Sequence, residues 1–220
     1  LSATYLIHLA NYSDGVLYVL GVLLLISLAV MFDRFWTLRR TIVGGNRIVR
    51  RATERAVFTR GVLQALRQDA GNLPEAALLD AALDHADHLC GEELGARLDE
   101  AVMLLVPTLD RRLWILDTAV TLAPLLGLFG TIIGMFHAFS VLAEPGHAPA
   151  DVTAGVADAL VATACGILIA MIGLAAYNAL SNQVRLVLHQ LDSLRLLIVN
   201  RSRVAGPVAA VERQAQAVGA

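Results

Sequence analysis

Three uncharged apolar runs, Gly15 to Phe32, Thr118 to Ala143 and Ala159 to Ser181, constrain this chain more than any other feature. A helix rises about 1.5 Å per residue, so roughly 20 such residues cross the hydrocarbon core of a bilayer. The remainder of the composition agrees, with 57% hydrophobic residues, only 16% charged and a mean hydropathy of +0.64. A soluble domain of ordinary composition holds about 25% charged residues. The expected fold class is an all-α membrane protein with three transmembrane helices, a helical cytoplasmic domain and long helices extending into the cytoplasm. The first run is the shortest and has a second reading as the apolar region of a signal peptide, which is usually about 7–15 residues behind a basic segment. Residues 1–14 contain neither Arg nor Lys, which favours a retained span.

All 17 basic residues are Arg, and none falls in residues 1–33 or 113–184. The positive-inside rule then places the arginine-bearing segments in the cytoplasm and the N-terminus outside. The expected division is an extracytoplasmic segment 1–14, a first span 15–36, a cytoplasmic helical domain 37–113, a second span 114–143, an extracytoplasmic loop 144–151 and a third span 152–182. A cytoplasmic helical extension 183–200 and a disordered tail 201–220 complete the chain. The extension is expected because Val187, Leu191, Leu194 and Ile198 form an apolar stripe at helical spacing. The tail is expected because Gly206-Pro207 breaks that pattern and the Ala- and Gln-rich remainder has little to bury.

The formal net charge of −2 is spread over mixed acidic and basic residues, with no patch suited to nucleic acid. Cys90 and Cys165 lie in different environments and read as free thiols. No catalytic triad, metal-ligand spacing or phosphate-binding glycine loop stands out, so an enzyme, a cofactor and a metal site are not expected. Chemistry in this chain would be ion movement.

Within the second run, Gly127, Gly130, Thr131 and Gly134 share one narrow helical sector. Within the third, Ala159, Thr163, Gly166, Ala170 and Gly173 form a similar stripe. Small residues allow close helix approach in lipid, so simple packing accounts for the glycines as well as a functional role does. Two threonines at depth could also line a polar path. Asp158 lies about 10 Å below the outer end of a helix starting near Asp151. A carboxylate at that position should face a subunit contact or a cavity, the alternative being a residue still within reach of the outer interface. It stands about 140° around the helix from Thr163. His137 reads more simply as a packing histidine than as a proton relay.

The segments LLGLFGTIIG at 125–134 and GVADALVATA at 155–164, with Tyr177 and Asn178 beyond, resemble the ExbB/TolQ/MotA proton-channel family, and ExbB and TolQ in particular. The resemblance implies a pentameric homo-oligomer in a bacterial inner membrane around a dimer of an ExbD- or TolR-like single-span partner. It also implies a TonB- or TolA-like protein as the recipient of force. Thr131 and Thr163 match the family's channel threonines, and Asp158 matches a family glutamate. The shorter acid is a departure, as is Ile172 where the family often has proline. A TonB-energising system, a Tol-type system and a non-conducting helical scaffold all remain open on these residues.

Overall fold

The computed structural model describes residues 15–85, 89, 91–142 and 149–218, with side chains at 15–85, 89, 91–140, 153 and 155–201. The segment 1–14, Cys90 and most of the loop expected at 144–151 lie outside the described residues. Six helices occupy the rest: α1 Val16–Thr53, α2 Arg60–Ala70, α3 Pro74–His85, α4 Glu92–Leu109, α5 Leu113–Leu142 and α6 Pro149–Val218. Among the described residues there is no strand. Three helices, α1, α5 and α6, are long and apolar enough to cross a membrane.

The chain divides into two compact units, Leu1–Phe35 with Arg112–Leu180, and Trp36–Arg111 with Ser181–Ala220. In the first unit the core lies where α1, α5 and α6 meet. Val16, Leu20, Ala123 and Ile169 are buried there, and Leu23, Leu24, Leu126, Ile133 and Cys165 pack against them. Cys165 is a free thiol. The outward surface is apolar: Leu25, Phe32, Leu125, Phe136 and Leu160 are largely exposed. In water such a surface would be costly, whereas in a bilayer it is the surface that lipid requires. Where α5 begins, Arg112 adopts a left-handed backbone with φ 69°. Its guanidinium donates to the Asp33 carboxylate at 2.7 Å.

The second unit contains the three short helices, α2, α3 and α4. Helix α2 starts at Thr59, whose side chain accepts from the Val62 amide at 3.4 Å, and ends at Gly71 with φ 53°. Helix α3 opens on Pro74, which suits a first helical position because no backbone donor is needed there. Leu63, Leu66, Leu78, Leu79, Leu94 and Leu98 are buried along α2, α3 and α4. The α6 stripe of Val187, Leu191, Leu194 and Ile198 is buried to within 1% and supplies the facing wall. Ion pairs tie the helices at their edges: Arg67 with Asp80 at 2.6 Å, Arg195 with Asp99 at 2.5 Å, and Arg51 with Asp69.

Arg201 closes the end of α1. Its guanidinium donates to the carbonyls of Ala52 at 2.8 Å and Thr53 at 3.2 Å, and also contacts the Arg55 carbonyl. These carbonyls lie at and just beyond the C-terminus of the helix, where side-chain donors supplement the backbone bonds.

Gly44 and Gly45 sit inside α1 without interrupting it, and each is a place where another chain segment comes close. Helix α6 continues to Val218, past Arg201 and Pro207, where the sequence led us to expect an unordered tail. Residues 208–218 are only Val, Ala, Glu, Arg and Gln. Apart from three valines, that composition is among the best helix formers, which outweighs the scarcity of apolar residues to bury.

Candidate functional site: the α5–α6 seam

Helices α5 and α6 run antiparallel in the first unit and meet along a file of small residues. A Cβ added to Gly134 would lie 2.6 Å from Ala159 Cβ, and one on Gly130 would lie 2.9 Å from Ala162 Cβ and 3.2 Å from Val16 Cγ1. A Cβ on Gly127 would lie 2.9 Å from both the Ala162 carbonyl oxygen and Thr163 Cα. One on Gly166 would collide with the Ala123 carbonyl oxygen and lie 3.1 Å from Gly127 Cα. Further along, Gly173 approaches Val120, with 3.1 Å from its added Cβ to Val120 Cγ2. The seam therefore extends over 120–134 of α5, on the order of 20 Å of helix. At its centre the two backbones touch, and a carbonyl has no rotamer by which to move aside.

Close approach permits a polar bond that ordinary helix spacing would not. Thr163 Oγ1 of α6 donates to the Gly127 carbonyl of α5 at 2.9 Å. One turn along α5, Thr131 is 9% exposed and its hydroxyl donates to its own helix, at the Leu128 carbonyl, 2.7 Å away. Both hydroxyl protons are thus committed to carbonyls, and each oxygen retains lone pairs that can accept. Asp158 is half-buried beside Ala159, at the Gly134 end of the seam. Thr163, Gly127, Gly130, Gly134 and Gly166 are brought together here. Gly173 lies at the far end, and Asp158 lies five residues from Thr163.

The seam's other contributors carry no signal of their own in the sequence. Ala123 and Ala162 matter through backbone atoms or a single methyl, and an alanine in an apolar run is too common to single out.

Glu75, in the second unit, is a charged residue that sequence reasoning passed over. It is 0% exposed, and neither carboxylate oxygen has a hydrogen-bond partner. An acid just after Pro74 in a helix's first turn ordinarily reads as a favourable partner of the helix dipole, worth about 0.3–1 kcal/mol. Burial of an unpaired carboxylate costs several kcal/mol, so burial wins and pushes the Glu75 carboxyl up from its ordinary value. Its own backbone amide pulls weakly the other way, through a contact outside hydrogen-bond geometry. The one available hint was the Gly44-Gly45 pair on α1. An added Cβ would lie 2.7 Å from Leu73 Cδ1 at Gly44 and would collide with Glu75 Oε1 at Gly45.

Comparison with known proteins bears on the seam directly. The model of the MotA/TolQ/ExbB proton channel family matches residues 70–193, more than half of the chain and all of the seam. The Tol-Pal system protein TolQ of Haemophilus influenzae is 39% identical over 83 residues, 37% of this chain and 36% of the relative. The biopolymer transport protein ExbB of Neisseria gonorrhoeae is 37% identical over 73 residues, 33% of each chain. An ExbB-like protein of Synechocystis is 28% identical over 169 residues, covering 75% of this chain and 66% of the relative. The first two alignments span only about a third of the length of those relatives. With its small-residue seam and a family match across the whole of it, this chain belongs to the MotA/TolQ/ExbB proton channel family.

Proposed function

We propose that this chain is the ring-forming subunit of a proton-motive-force-driven machine of a bacterial inner membrane, ExbB-like in energising TonB-dependent transport across the outer membrane. In this reading five copies surround a dimer of a single-span, ExbD-like partner whose membrane carboxylate carries the proton. Residues 1–14 and 144–151 lie on the outer side, and 37–113 with the C-terminal helix lie in the cytoplasm. The observation that carries the proposal is the Thr163–Gly127 hydrogen bond within the α5–α6 seam. It locks two small-residue helices together and leaves hydroxyl oxygens able to accept hydrogen bonds within otherwise apolar spans.

The threonines play two parts in this mechanism. Thr163 anchors α6 to α5 and offers an acceptor at the same place, while Thr131 offers a second acceptor one turn along. Neither hydroxyl takes up or releases a proton at neutral pH. Their work is to stabilise a proton or water passing to the partner's acid, in a setting where each polar contact replaces lost hydration. Asp158 would sit toward the outer end of that path, where a carboxylate draws cations inward. Proton arrival neutralises the partner's acid in turn, and the partner shifts within the ring.

A Tol-type role is the second reading, favoured by the 39% identity to TolQ. Complementation separates the two. Expression with the cognate single-span partner in strains lacking either ExbB or TolQ should restore TonB-dependent uptake. Restoration of envelope integrity alone would establish the TolQ-like role instead. Failure in both, with the protein folded and in the membrane, would refute energy coupling.

A further inference from the structure

A separate site lies in the second unit, where the first turn of α3 meets α1 and α6. Three oxygen atoms gather there without a donor among the described residues: both carboxylate oxygens of Glu75 and Oε1 of Gln190. Glu75 Oε1 and Gln190 Oε1 converge on one spot above Gly45. A Cβ placed on that glycine would collide with the first and lie 2.6 Å from the second. Glycine at this position is what admits the pair.

The orientation of Gln190 is not free. Its Nε2 donates to the Ile42 carbonyl at 3.2 Å. Turning the amide over would bring Nε2 toward Glu75 but set Oε1 against the Ile42 carbonyl, exchanging one acceptor–acceptor conflict for another. With Nε2 held by Ile42, Gln190 presents an acceptor to Glu75, and an ionised Glu75 has acceptors only. A proton on the carboxyl resolves the conflict, because the acid then donates. We propose that Glu75 is a proton-binding site, its neutral acid donating to Gln190 Oε1 and so fastening the start of α3 to α1 and α6.

The surroundings contain no competing charge. Glu75 is the sole buried ionisable group described in this unit. On the packed helices, Arg47 of α1 and Arg185, His189 and Asp192 of α6 are exposed. Arg67 of α2 is paired with Asp80 of α3, and Asp99 of α4 with Arg195 of α6. Burial therefore dominates, and it favours the neutral acid, in agreement with the hydrogen-bond geometry.

The sign of the pH effect follows from that direction. A carboxyl whose folded pKa is raised binds its proton more tightly in the folded state. Its contribution to stability is complete below the ordinary value of 4.5 and is lost as pH rises through the raised folded value. The contribution of Glu75 is thus largest in acid and falls toward alkaline conditions, opposite to the usual behaviour of a paired carboxylate. The site does not depend on the proposed role of the seam.

Glu75→Gln is the informative variant, since its amide can donate to Gln190 Oε1 as the acid does. The full-length protein in mild detergent, labelled with ¹³C-carboxyl glutamate, would be titrated by infrared spectroscopy alongside this variant. Glu54, Glu92, Glu93 and Glu100 are exposed and carry the same label. The expected result is one protonated-carboxyl band that persists above the ordinary carboxylate range and is absent from Glu75→Gln. Thermal unfolding of the wild type should fall with rising pH over that range, and the variant should lose this slope. If the variant failed to fold, the persistent band in the labelled wild type would still decide the matter. A wild-type spectrum in which every glutamate ionises in the ordinary range, or a variant that keeps the wild-type pH slope, would overturn the proposal.

Discussion

Replacing Gly166 with alanine tests the seam at its tightest point. The new methyl would collide with the Ala123 carbonyl oxygen and press on Gly127 Cα at 3.1 Å and Ala123 C at 3.2 Å. All three are backbone atoms, so relief requires the helices to part by on the order of 1 Å, and overpacking of this kind costs about 1–3 kcal/mol. Parting also stretches the Thr163–Gly127 bond from its present 2.9 Å beyond useful geometry. Such interhelical bonds in membranes average about 0.6 kcal/mol, with a maximum near 1.7. Against this stands the helix propensity gained on replacing glycine by alanine, about 0.8–1 kcal/mol.

Gly21→Ala on α1 isolates that last contribution, because nothing lies within 4 Å of its added Cβ. The difference between the two variants is therefore the packing effect, on the order of 2–4 kcal/mol against Gly166→Ala. Denaturant or thermal unfolding in mild detergent, with both variants purified in parallel, measures it. Equal stability of the two variants would refute the backbone contact between α5 and α6.

Thr131→Val and Thr163→Val should both impair energy-dependent activity in complementation, and serine at either position should restore it. Thr163→Val should also lower stability by about 0.6 kcal/mol, the average for such a bond, whereas Thr131→Val, whose hydroxyl bonds only within its own helix, should change stability less. At Asp158, asparagine should reduce activity more than glutamate does; an asparagine variant as active as the wild type would leave the carboxylate without a role. Leu194→Ala, at a position 0% exposed on the α6 stripe, should destabilise the second unit by about 2–5 kcal/mol, read from the loss of helical signal on heating.

Much of this architecture was legible in the sequence because its dominant forces are periodic. Three uncharged runs produced three candidate spans, and the stripe from Val187 to Ile198, read from spacing alone, is a buried face of α6. The glycines of the seam were visible for the same reason, since small residues at three- and four-residue spacing keep to one side of a helix. What spacing cannot carry is the identity of the surface opposite. Nothing in the local sequence pairs Gly166 with the Ala123 carbonyl or Thr163 with that of Gly127, because these contacts depend on how two helices 36 residues or more apart are set against each other. Glu75 was illegible for a different reason: its position in a helix's first turn matches a solvated acid, and only the tertiary packing of Gly45 and Gln190 buries it.

The central claim is that this chain works as a ring around a single-span partner, and native mass measurement tests it most directly. Extracted in mild detergent after co-expression with that partner, the particle should contain five copies of this chain with two of the partner. A folded particle holding one copy of this chain, with or without the partner, would contradict the account.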